Sequence, residues 1–200
     1  MSDLMEMIRQ AAEYGDDVCD GEFSGCEISG IDARNLSFVR CVFKNVSFGE
    51  NDIRHLSFAD CSFTGCDLSG LKITDGSVHR SDFTDCRGTG AQIDQSVVMN
   101  VKFKNCQLGY LTISGSKITN ADFSGCDLSH IMLHTCPLKK MAFSRCSLAG
   151  AEFIGVSLRG VDISTCDISG IRISPESLSG ARISPEQSVQ VCALLGVEIV

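Results

Sequence analysis

All eleven phenylalanines of this chain sit at positions whose numbers end in 3 or 8, so every gap between them is a multiple of five. A period of five fits neither an α-helix, which repeats side-chain direction every ~3.6 residues, nor a strand, which repeats it every ~2. With the Phe phase called i, 33 consecutive five-residue units run from Gly21 to Pro185. The centre i is Phe, Leu, Ile or Val in 31 of them, the exceptions being Ala33 and Gly88. Ten of the 12 Cys stand at i−2, where most other residues are Ala, Val, Leu, Ile or Met. Position i+1 is Ser or Thr in 17 of the 33 units, i+2 is often Gly, and i−1 is often acidic.

Two inward positions in every five oblige the backbone to turn a corner in each unit. Four corners close a coil of twenty residues, and two ladders repeat at that spacing. One runs Phe23, Phe43, Phe63, Phe83, Phe103, Phe123, Phe143; the other is Cys66, Cys86, Cys106, Cys126, Cys146, Cys166. Coils stacked at the interstrand spacing of ~4.8 Å make a rod of about eight coils and roughly 40 Å. The expected fold class is an all-β solenoid. Large centres fill the axis, small i−2 residues fit the crowded corners, and hydroxyls at i+1 bond the turning backbone. Gly at i+2 supplies the turn dihedrals.

Cys126-Asp127-Leu128-Ser129, Ala121-Asp122-Phe123-Ser124-Gly125 and Cys66-Asp67-Leu68-Ser69-Gly70 resemble the motif of the pentapeptide-repeat family, and the pattern spans about four-fifths of the chain. The resemblance implies a right-handed, quadrilateral β-helix. Among its members the chain looks most like the quinolone-resistance group. That group implies a dimeric DNA mimic that binds DNA gyrase or topoisomerase IV and modulates quinolone sensitivity. A cytoplasmic, non-enzymatic protein is expected from the residues themselves, since MSDLMEMIRQ has acids where an export signal needs a basic flank. A departure from the group is that the register here is unbroken, leaving no room for the loops many of them carry. The alternative expectation is an interaction scaffold, of effector or immunity type, with a different protein partner.

Three segments are expected: a helical cap over 1–20, the β-helix over 21–185, and a capping or dimerisation module over 186–200. In the first, Leu4, Met5, Ile8, Ala11 and Ala12 have helical spacing and Gly15 ends the helix. In the last, Ser184-Pro185-Glu186-Gln187 reads as a capping box with Pro at N1. A short helix and an edge strand, Val197-Glu198-Ile199-Val200, then follow. Val191, Leu194, Leu195, Val197 and Ile199 are the expected dimer interface.

The net charge of −8 is unevenly placed: the first twenty residues hold six acids and one base, whereas residues 21–185 hold 17 acids and 16 bases. Counted by face, the side built on Ile28, Phe48 and Leu68 carries Glu27, Glu50, Asp67, Asp127 and Asp167 against Arg87 alone. The opposite side carries Arg40, Arg80, Lys117, Lys139, Lys140 and Arg159 against Asp60 and Glu176. The five acids of the first face are the expected contact for a basic protein surface. No catalytic residue, metal ligand or cofactor site is expected. The Cys spacings are multiples of five rather than the close pairs of zinc sites, so they read as small core residues. His55, His79, His130 and His134 fall at outward positions without triad or metal spacing. The basic side lacks interleaved aromatics, so nucleic acid is not an expected partner. Nor is a membrane, since no apolar run is long enough to span one.

Overall fold

The computed structural model describes residues 2–28, 35–49 and 51–197. It is a parallel β-solenoid in which each residue pairs with the one twenty positions on. The register runs from Val18↔Phe38 through Phe63↔Phe83 and Ile113↔Leu133 to Asp162↔Arg182. Most strands are three residues long with the middle one buried, as in Ser37–Val39, Ser62–Thr64 and Asp82–Thr84. Some adjoining units run on as one longer strand, as in Val97–Lys104 and Lys117–Ser124, although Asn100 and Asn120 at their corners remain left-handed.

The core is the two inward columns of each face. Phe43, Phe63, Phe83, Phe103 and Phe123 pile up with ring centroids 4.4–4.8 Å apart and planes within 11°. The coil rise brings flat rings to contact distance, and parallel pairing keeps them in register. Phe38, Phe48 and Phe58 meet this stack edge-on from neighbouring faces.

Among the described residues nearly every unit turns through a left-handed residue at i+2, the exceptions being Thr165, Pro175 and Pro185. Glycine takes it at Gly65, Gly125 and Gly150, but so do Asn45, Asn105 and Asn120, Asp60 and Asp85, and even Arg40, Tyr110, Thr135 and Lys140. Asn and Asp tolerate this region because their short side chains bond the backbone locally. Thr135 is the one β-branched residue among the described ones that does so, at φ +53°. Replacing Thr135 with Gly is expected to raise stability by about 1 kcal/mol, the left-handed penalty of a branched residue less the entropy of freeing the unfolded chain. Urea denaturation of the two proteins checks this; an unchanged or lower midpoint contradicts it.

The i−2 corners hold hydrogen bonds as well as small apolar groups. Ser96 Oγ accepts from Gly76 N–H at 2.9 Å and donates to Asp94 O at 2.7 Å. Ser116 does the same one coil on, and Ser81 does so in another column. Cysteine copies part of the arrangement: Cys106 Sγ donates to Lys104 O at 3.4 Å and lies 3.5 Å from Phe83 O one coil below. A residue that is both small and able to bond in two directions therefore fits best. Cysteine acts here as a small core residue and as a hydrogen-bonding one. Hydrogen bonding along the ladder and burial push the Cys61, Cys66, Cys106 and Cys166 thiols up, and burial does so for Cys136.

Helix α1, Ser2–Tyr14, puts Ile8 and Ala11 into the same buried cluster as Val18 and Phe23. Gly15, at φ +74°, ends it by donating to Ala11 O. The side chains of Leu4, Met5 and Ala12 lie outside the described residues. At the other end, Pro175 and Glu176 replace a strand by a one-turn helix α2, Pro175–Leu178, capped by Ser174. Glu176, which occupies an inward slot by count, is exposed. A second polar residue in an inward slot, Asn51, is buried and donates to Ile28 O at 2.7 Å and to Phe48 O.

Helix α3 is Ser188–Leu194, starting three residues later than a capping box with Pro185 at N1 predicts, because 185–187 form a turn first. One half of the box is present: Gln187 Oε1 accepts from Ser184 N–H at 2.7 Å. The Gln187 amide nitrogen turns inward and donates to Ile163 O at 2.9 Å and Cys166 O at 2.7 Å. The expected edge strand over 197–200 falls mostly outside the described residues.

Candidate protein-binding face

The acidic side is a register position as well as a count. Glu27, Ser47, Asp67, Arg87, Gln107, Asp127, Ser147 and Asp167 form one unbroken column of parallel bridges, each residue beside the one a coil away. Glu27, Arg87, Asp127 and Asp167 are exposed and Asp67 is half-buried. Glu50 lies outside the described residues. Each aspartate of the column is anchored by its own turn. Asp67 Oδ1 accepts from Ser69 N–H, Asp127 Oδ1 from Ser129 N–H and Asp167 Oδ1 from Ser169 N–H, all at 2.9 Å. The Ser169 hydroxyl adds a bond of 2.6 Å, and these bonds hold the Asp167 carboxyl below the usual carboxylate range. The acids at i−1 therefore serve the turn through one oxygen and leave the other for solvent or a partner.

On the same side the structure adds a feature that residue counting missed. Tyr110 and His130, both left-handed i+2 residues, stack their rings at 4.8 Å and 12°. Tyr110 is 59% exposed. The imidazole lies where a Cβ on Gly150 would be, only 2.6 Å from ring atoms, so a side chain at 150 would push it off. The twenty-residue spacing of Tyr110, His130 and Gly150 was the signal that could have revealed this pair.

The opposite side is less basic than its composition. Arg40 grips Asp20 through Nε and Nη2, both at 2.7 Å, and Arg80 grips Asp60 at 2.6 and 2.7 Å. Both guanidinium groups hold the facing carboxyls below the usual range. Lys117, Lys139, Lys140 and Arg159 remain exposed along it.

At the C-terminal end, Val191 and Leu194 are half-buried against the core of their own chain. Leu195 and Val197 are exposed, at 56% and 52%, and Ile199 lies outside the described residues. Leu195 and Val191 border a shallow groove with Pro175, Leu178, Ala181 and Ile183.

Among the described residues no three or more His, Cys, Asp or Glu side chains converge as metal ligands, and no helix is long and apolar enough to cross a membrane. All twelve cysteines are free thiols.

The chain covers 92% of its length in a match to a trypsin-treated variant of QnrB1, a plasmid-mediated fluoroquinolone resistance protein. That match spans 100% of the QnrB1 chain at 15% identity, with a TM-score of 0.45. HetL, a pentapeptide-repeat protein involved in heterocyst differentiation regulation in the cyanobacterium Nostoc, matches 89% of this chain and 96% of its own at 13% identity, with a TM-score of 0.48. No curated protein matches by sequence. Sequence profiles do: that of the pentapeptide repeat region matches residues 36–113, and that of pentapeptide repeats in eight copies matches residues 138–173. These two stretches make up more than half of the chain, which belongs to the pentapeptide-repeat family.

Proposed function

We propose that this protein is a non-enzymatic binding rod that docks a basic protein surface along the column containing Glu27, Asp67, Asp127 and Asp167. The observation that carries the reading is the alignment of these acids in one register position on one side of the rod. Aligned charge of one sign steers a complementary partner and fixes its orientation. Tyr110, exposed on the same side, supplies the kind of rigid aromatic contact that dominates binding energy at interfaces.

The partner class implied by the sequence resemblance is a type II topoisomerase, with the rod standing in for duplex DNA. Charge density limits how literal that mimicry is. DNA carries one charge per ~1.7 Å, whereas this column places four acids and an arginine over eight coils. On this reading the acids orient the partner and the Tyr110–His130 pair anchors it. Dimerisation through Leu195 and Val197 would double the length of the rod.

A gyrase supercoiling assay, with and without a fluoroquinolone, tests the partner: neither inhibition nor protection by the wild-type protein discards the topoisomerase reading. The face is tested separately. The Asp67→Lys, Asp127→Lys double variant is expected to bind its partner about tenfold more weakly or worse, with a shallower salt dependence. Biolayer interferometry at two ionic strengths measures both. Unchanged affinity removes the acidic column from the interface, and the scaffold reading with a different face takes its place.

A further inference from the structure

The most unusual coil is the one containing Gly88 and Ala91. In the column Leu68, Gly88, Leu108, Leu128, Leu148 the glycine deletes one whole isobutyl group. In the next column, Leu71, Ala91, Leu111, Ile131, Ala151, the alanine at 91 is likewise smaller than the leucines on either side of it. The two small residues are three residues apart in the same coil, so their missing volumes adjoin. Packed interiors collapse only partly around such a loss. Here Leu108 leans in until its Cδ2 stands 2.9 Å from where a Gly88 Cβ would be, and a cavity of about 60 Å³ remains.

The cavity reaches across the tube. Its wall includes Leu68, Ile73, Phe83, Ile93, Phe103 and Leu108, and it presents no polar surface. Phe103 is partly exposed, although Phe83 and Phe123, its neighbours in the stack, are 5% and 2% exposed. Ile93 is likewise partly exposed between Ile73 and Ile113, which are buried. Both are inward residues that line the cavity.

We propose that this coil is a binding site for a small, uncharged apolar molecule, no larger than the branched four-carbon group that the leucine column lacks. An all-carbon wall offers no donor or acceptor, so it selects against polar and charged guests. Apolar cavities of this kind stay dry and take xenon or small hydrocarbons. The volume excludes drug-sized ligands, which need several hundred Å³. The site is independent of the acidic column and of any protein partner.

Xenon is the probe. In methyl-resolved NMR of the wild-type protein, xenon is expected to shift the Leu68, Leu108 and Ile93 methyl signals along a saturating curve. A Gly88→Leu variant restores the missing group at a position whose backbone is not left-handed and whose nearest obstacle is a flexible leucine tip. It is expected to lose the saturating response and melt at a higher temperature. Ala91→Leu, which restores its own column, is the second filling variant should the first not fold. A linear, non-saturating response in the wild-type protein overturns the proposal, and so does a full response in a folded, filled variant.

Discussion

Phe63→Ala is expected to lower stability by about 3–5 kcal/mol, the upper range for truncating a buried aromatic residue. Phe63 is 1% exposed and sits where the rings of three faces meet. It stacks on Phe43 at 4.8 Å and on Phe83 at 4.4 Å, meets Phe58 edge-on at 5.1 Å, and touches Phe48 at 5.9 Å. Each such aromatic pair contributes about 0.5–1.5 kcal/mol beyond the area it buries. The hole cannot close by backbone movement, because Ser62 N–H is tied to Cys41 O and Gly65 N–H to Thr84 O in the coils on either side. Phe103→Ala supplies the control. Its ring already borders the cavity and is partly exposed, so it loses less contact and is expected to cost visibly less. Urea denaturation of both variants decides: a loss at Phe63 below about 1.5 kcal/mol, or a loss at Phe103 that equals it, means the tube repacks and the rings are not individually supported.

Gln187→Leu is expected to cost about 1–3 kcal/mol, the penalty for leaving a buried carbonyl without its donor. The residue is 7% exposed and its amide bonds in three directions, to Ser184, Ile163 and Cys166. Leucine matches its bulk but supplies none of these bonds. Ile163 O keeps the Cys166 amide as a partner, so the loss falls mainly on Cys166 O and on Ser184 N–H. Because Gln187 immediately precedes α3 and ties it to the last coils, the loss is expected to appear first as faster hydrogen exchange over 188–197, with amides near Phe63 unaffected. Exchange in α3 that stays at the wild-type rate contradicts the assignment of Gln187 as the tie.

Much of this architecture is legible in residue spacing alone. Phe at i and Cys at i−2 mark columns because a tube wide enough for one ring per face leaves little choice at those slots. The glycines at i+2 announce a turn, yet they hide how general it is: Arg40, Lys140 and Thr135 adopt the same left-handed backbone with no compositional hint. There the ladder hydrogen bonds of neighbouring coils override local preference. Buried amides were equally hidden. Asn51 and Gln187 look like surface residues until carbonyls more than twenty positions away, Ile28 O for the one and Ile163 O and Cys166 O for the other, are in place. Gly88 was visible as a break in the pattern, but the cavity follows only when the columns on both sides are assembled. The acids of the proposed binding face were countable by side. What counting could not reveal is that one oxygen of each aspartate is committed to its turn, or that Tyr110 and His130 stack between them.

The twenty-residue register has a consequence for how a gene of this kind can change length. Removing or duplicating twenty residues within the β-coils shortens or lengthens the rod by one storey and leaves every column where it was. Removing five preserves the inward alternation but swings everything beyond the cut by a quarter turn. Asp127 and Asp167 would then leave the line of Glu27 and Asp67 for an adjoining side, and the phenylalanine pile would be severed. Foldability tolerates steps of five, whereas an intact charged edge tolerates only steps of twenty.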